Sequence, residues 1–300
     1  MEGRGRRWAI AGALLLLTGC EGVGGRIGPV DLGVVSSGFQ TLAAATTKIG
    51  VDDEVRIGRG VAARLLAQYG FWADPALGQY VTLVGQVLVQ PAGRRDLTYH
   101  FAVLNDTTVN AFSAPGGYIF VTRGALAVIR DEAELAGVLA HEIAHVSLRH
   151  VLGEIENRYL LQKAGETGTR ALGAYGGSGG QSALAALQAG GEVFSQIADF
   201  ATEVLFRGYS RSQEIEADRL GVEIAAGSGY NPHGLTTFLE TVQARSVRQE
   251  SATTGGLMRT HPVYRERLEE LRAHIRSVSP GGDRLPRLPD RYAQQTRGRT

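Results

Sequence analysis

One cysteine in 300 residues, Cys20, rules out a disulfide within the chain as a staple for the fold. No hydrophobic run is long. The most apolar stretch, Trp8 to Leu17, has ten residues, about half of what a membrane-crossing helix needs. Net charge is nearly absent as well. Lys and Arg number 31 against 30 Asp and Glu, giving +1, or −1 once residues 1–19 are set aside. Nothing in that balance suggests nucleic acid as a partner. There is no internal repeat, which excludes solenoids and propellers. What remains is 43% hydrophobic and 20% charged residues, the composition of one sizeable globular domain with appendages.

The first appendage reads as an export signal. Arg4, Arg6 and Arg7 precede the apolar stretch, and the stretch is too short to span a bilayer. It ends at Leu17-Thr18-Gly19-Cys20, which resembles the lipobox of bacterial lipoproteins. That resemblance implies that Cys20 becomes an acylated N-terminus and ties the chain to a membrane through several acyl chains. Glu21 is not the aspartate associated with retention at the inner membrane, so the periplasmic side of the outer membrane is implied. The expected organisation is a signal peptide at 1–19, then lipidated Cys20 and a flexible tether through residue 47, rich in Gly, Ala, Ser and Thr. A folded domain follows at 48–276. Residues 277–300, where Arg284, Arg287, Arg291, Arg297 and Arg299 alternate with Pro, Gly and Gln, are expected to form a disordered tail.

The densest chemistry lies in His141-Glu142-Ile143-Ala144-His145, an HExxH run. Asp131 followed by Glu134 marks a helix start of the capping-box kind. Leu135, Val138, Leu139, Ile143 and Val146 then recur at helical spacing. Two histidines four apart share a helix face and can share a metal, while Glu142 can reach a water bound to it. His150 falls on nearly the opposite face of a continuous helix, which predicts a solvated or second-layer histidine and no ligand role.

Three protein ligands and a water make a catalytic zinc site; four protein ligands make a structural one. Ser210 and Gln213 predict a second capped helix through Ile215, Val222 and Ala225, stopped by Gly227-Ser228-Gly229. On it Glu214 and Asp218 share a face, and Glu216 turns away by about 200°. This selects Glu214 as third ligand and Asp218 as a carboxylate orienting a ligating histidine. Further helices are predicted at 53–69 and, behind Asp74-Pro75, at 76–88. Short strands at 98–104 and 118–122 flank a Pro115-Gly116-Gly117 turn and can pair beside the HExxH helix. Phe194 to Phe206 reads as an apolar core helix. The Gly-rich segment 165–191 lacks the Lys-Ser/Thr ending and preceding strand of a phosphate cradle and reads as an insertion.

Taken in order, Asn110-Ala111-Phe112-Ser113-Ala114-Pro115-Gly116-Gly117, Thr122-Arg123-Gly124, HEIAH, EIEAD and Thr260-His261-Pro262 with Arg267 resemble the zinc metalloproteases of the HtpX and CAAX-prenyl-protease-1 type. Within that family the likeness is to the soluble periplasmic branch of β-barrel assembly-enhancing and LoiP-like lipoproteins. The resemblance implies an α+β, mainly helical zincin (gluzincin) fold over residues 48–276, with one Zn²⁺ held by His141, His145 and Glu214. It makes Glu142 the general base and puts Asp218 in support. A strand at Asn110, Ala111, Phe112 and Ser113 would receive the substrate backbone at a sheet edge. His261 would cap the zinc at rest, or it or Arg267 would stabilise an oxyanion. The implied function is endopeptidase quality control of misfolded or unassembled outer-membrane proteins, with polypeptide partners and no nucleic acid. Two readings compete: an outer-membrane assembly chaperone with a gated zinc site, and a zinc aminopeptidase. The latter lacks an acidic exopeptidase motif before HExxH.

Overall fold

The computed structural model describes residues 26–27, 30–31, 48–158, 192–247 and 251–300. Cys20, the signal stretch and the Gly-rich segment 165–191 lie outside the described residues. Helix α1 (Val51–Tyr69) begins with Asp52, Asp53 and Glu54 at the positive end of its dipole and ends at Gly70. Helix α2 (Pro75–Val89) starts as expected, with the Asp74 carboxylate accepting from the Leu77 amide and proline in the first turn.

Strands β1 (His100–Leu104), β2 (Ala111–Ala114) and β3 (Tyr118–Thr122) form a sheet in the order β1-β3-β2. The two expected strands do pair: β1 and β3 run parallel, from His100↔Tyr118 to Leu104↔Thr122. Strand β2 pairs antiparallel with β3, Ala111 opposite Val121. The turn between them needs Gly116 at φ 74°, a left-handed conformation that only glycine adopts without strain. Alternation along the strands splits the interior in two. Val103, Ala111, Ile119 and Val121 face one apolar cluster; Leu104, Phe112, Ala114 and Phe120 face another.

The first cluster surrounds α4 (Glu132–Ser147), which carries HExxH and is buried from Glu132 to Val146. A helix buried on every side sits at the centre of a core. Leu135, Leu139 and Ile143 are fully buried; truncating any one to Ala would cost about 2–5 kcal/mol. The second cluster joins α1 to the helical residues 150–158 (α5) and to α6 (Glu192–Arg207). Helix α6 is the expected core helix, packing Ala198, Ala201, Val204 and Leu205 inward. Helices α3 (Arg123–Val128), α7 (Arg211–Gly227), α8 (Gly234–Val247), α9 (Ser251–Thr260) and α10 (Arg265–Val278) complete the packing. Gly221 of α7 sets one approach: a β-carbon there would lie 3.1 Å from the Cα of His141.

The tail expected to be disordered is instead folded onto the domain. Helix α11 (Pro289–Thr296) buries Tyr292, whose hydroxyl donates to the Leu126 carbonyl at 2.5 Å. Arg287 pairs with Asp131 at 2.7 Å, and Arg299 pairs with Asp74 while its carbonyl accepts from the Trp72 indole. Composition misled here because Arg287, Arg291 and Arg299 find specific carboxylates on the domain, a pairing that residue content cannot reveal. Among the described residues no helix is long and apolar enough to cross a membrane.

Candidate active site

The active-site helix α4 is capped by Asp131, whose carboxylate accepts from the Glu134 amide at 2.9 Å. The returning half of the expected box shifts by one residue, with Glu134 accepting from the Arg130 amide. Two turns further on, His141 and His145 bring their Nε2 atoms to 3.1 Å of each other. Helix α7 starts with the complete Ser210–Gln213 capping box and delivers Glu214 to them. Its carboxylate oxygens lie 3.5 Å from each Nε2. Asp218, one turn on, sits 2.9 Å from His141 Nδ1.

His261 completes the group. Its Nδ1 is 3.2 Å from His141 Nε2 and 2.9 Å from Glu214 Oε1, and its Nε2 is 3.4 Å from Glu142 Oε1. The four candidate ligand atoms fall within 4.8 Å of one another. Nitrogen and oxygen ligands around a tetrahedral Zn²⁺ stand about 3.3–3.4 Å apart, given bonds of about 2.0–2.1 Å. The separations of His141, His145 and Glu214 from one another, 3.1–3.5 Å, lie near that value, and a donor set of imidazoles and a carboxylate is one that zinc takes.

Electrostatics agree with a cation site. Burial opposes charge on His141, yet Asp218 and Glu214 outweigh it and push its pKa up to about 9. An ion at Nε2 would displace that proton. Burial pushes His145 well below its ordinary value. Burial also opposes ionisation of Glu214, but His261 and Arg267 hold it well below the usual carboxylate range.

Arg267 does not serve as the oxyanion donor proposed for it. Its guanidinium is fully buried and committed, Nε and Nη2 to Asp218 at 2.7 and 2.8 Å and Nη1 to Glu214 at 2.7 Å and the Pro262 carbonyl at 3.0 Å. It fixes the two carboxylates of α7 in place. His150 is also not where a continuous helix would put it. The chain breaks after α4, and His150 returns beneath His145, Nδ1 to Nδ1 at 2.8 Å. Glu216, predicted to turn away, is exposed but reaches His150 Nε2 at 3.4 Å.

Residues Asn110 to Ser113 stand beside the site at the sheet edge, but all four are buried. The Ala111 amide donates to the Asn110 side chain at 3.0 Å, and that side chain also accepts from Thr260, the residue before His261. Sequence reasoning missed Tyr209, whose ring stacks on His145 with centroids 3.9 Å apart. Its hydroxyl, the Ser113 hydroxyl and Glu142 Oε2 are buried without a hydrogen-bond partner among the described residues. The only sequence signal for Tyr209 was its place just before the α7 cap.

Comparison with known proteins agrees with this arrangement. The family model described as Peptidase family M48 matches residues 75–275. The β-barrel assembly-enhancing protease of Escherichia coli (strain K12) is 29% identical over 245 residues, which cover 80% of this chain and 47% of that protein. This chain thus spans about half the length of that relative. Metalloprotease YcaL of the same organism is 27% identical over 270 residues, 90% of this chain and 96% of that one. The mitochondrial metalloendopeptidase OMA1 of Schizosaccharomyces pombe is 28% identical over 226 residues, 74% of this chain and 61% of its own length. With the match running from α2 through the HExxH helix to α10, the chain belongs to peptidase family M48.

Proposed function

We propose that this chain is a zinc-dependent endopeptidase whose ion is held by His141, His145 and Glu214. The observation that carries the reading is the convergence of those three side chains from two capped helices on one buried point, with Glu142 beside it. Zinc, when bound, lowers the pKa of a coordinated water to about 7 and polarises a carbonyl. Glu142 accepts the proton of the attacking water and returns it to the leaving amine, general base and then general acid. Asp218 holds the His141 ring, and Arg267 holds Asp218 and Glu214. An extended substrate segment adds to the edge at Asn110–Ser113, where the Ala111 amide supplies a backbone donor once Asn110 lets go.

His261 occupies the fourth corner of the ligand group, which supports a resting state closed to water and substrate. His261→Ala is expected to keep zinc and to raise the basal rate of peptide cleavage; a fall in that rate would show His261 to be needed for turnover. The name of one relative, β-barrel assembly-enhancing protease, supports β-barrel proteins of the outer membrane as substrates, and the lipobox-like Cys20 supports a lipid-anchored periplasmic location. The test is cleavage of an unfolded, N-terminally blocked outer-membrane protein by the zinc-loaded chain. Internal cleavage supports the endopeptidase. Zinc without cleavage, in a chain that still restores envelope assembly, would favour the gated assembly factor instead.

A further inference from the structure

We infer that His150 sets the tautomer and orientation of His145, through a proton-ordered chain that runs from the metal site to Glu216 at the surface. This rests on the reading that His145 holds the metal. Because His145 Nε2 faces His141 and Glu214, its only proton as a neutral ligand sits on Nδ1. Among the described residues, the hydrogen-bond partner of Nδ1 is His150 Nδ1, at 2.8 Å and buried. Two imidazole nitrogens at that distance need one donor and one acceptor. His150 Nδ1 must therefore be the acceptor, which moves the His150 proton to Nε2. There Glu216 Oε2 stands at 3.4 Å to receive it, on a side chain that is 58% exposed. The neighbouring ligand has a different neighbour, because the Asp218 carboxylate lies 2.9 Å from His141 Nδ1. One ligand stands against a carboxylate and the other against a histidine.

The backbone is built to make this contact. On a continuous helix, five residues would rotate His150 about 140° away from His145. Instead Arg149 adopts φ 59°, a left-handed conformation uncommon for a residue with a side chain. Its guanidinium is held by buried Glu54 at 3.0 Å and by the Ile49 carbonyl at 2.8 Å. Surroundings that over-determine a strained residue next to a site are the mark of strain kept for function. Here the turn folds His150 back under His145.

The test compares full-length His150→Phe, which fills the space without an acceptor, with His150→Asn, whose side-chain oxygen can accept from His145. Zinc affinity is measured by chelator competition. Phenylalanine is expected to weaken zinc binding roughly 10–100-fold, and asparagine to recover most of that loss. A side chain needed only as filler would give the opposite order. In the zinc-loaded wild type, ¹⁵N shifts should place the His150 proton on Nε2, a readout that needs no variant to fold. Wild-type affinity in His150→Phe, or a proton on His150 Nδ1, would overturn this inference alone. A wild-type chain that binds no zinc would overturn the metal reading beneath it as well.

Discussion

The two ends of helix α4 treat buried charge in opposite ways. At the N-terminal end Asp131, Glu132 and Glu134 are buried, and each is matched by an arginine: Arg287, Arg291 and Arg130. Glu132, 1% exposed, also accepts from the hydroxyls of Tyr80 at 2.9 Å and Tyr230 at 2.8 Å. Every acceptor there has a donor, and the dipole of the helix favours the charges further. Two turns on, Glu142 Oε2 and the Tyr209 and Ser113 hydroxyls are buried without a hydrogen-bond partner among the described residues. An unsatisfied buried polar atom costs about 1–3 kcal/mol, so under the proposed function these are the groups whose partners would be water and substrate. A satisfied cluster secures the helix; an unsatisfied one marks where it works.

Substitutions can break that contrast. The largest effect is expected at Arg267, which serves the working end from behind. Arg267→Met leaves Asp218 and Glu214 buried without their cation, a loss of about 3–5 kcal/mol, read as a lower urea midpoint together with weaker zinc binding. Next comes Tyr230→Phe at the secured end, which removes one donor to a buried carboxylate and should cost about 1.5–3 kcal/mol. Zinc affinity should not move, since Tyr230 bonds the far end of the helix; a parallel loss of zinc would mean the two ends are not independent. The smallest is Tyr209→Phe. Its hydroxyl has no bond to lose among the described residues, and removing it relieves the cost of burying it, so stability should not fall and should rise by about 1 kcal/mol. A drop as large as that of Tyr230→Phe would show that the Tyr209 hydroxyl is bonded after all.

Much of this was legible in the sequence because it rests on short-range periodicity. Four-residue spacing puts His141 beside His145 and Glu214 beside Asp218 on any helix, and the Ser210 and Asp131 caps say where those helices begin. What spacing cannot give is which faces meet. That Arg267 points at α7 and away from the reacting centre, and that Arg291 seeks Glu132, are facts of three-dimensional packing over separations of 49 and 159 residues. His150 failed for another reason. The face argument assumed an unbroken helix, and a left-handed arginine is not something residue identity announces, as a glycine would have. The tail failed because an arginine among prolines has the composition of a disordered end whether or not a buried carboxylate awaits it.

Under the proposed function, Glu142 does the proton work at an ion that His141, His145 and Glu214 hold without it. The most direct measurement is zinc content and internal peptide cleavage on one preparation of Glu142→Gln beside the wild type. One zinc per chain is expected in both, with cleavage in the variant slower by about 10²–10⁴-fold. A variant that keeps its zinc and cleaves at the wild-type rate would contradict the account.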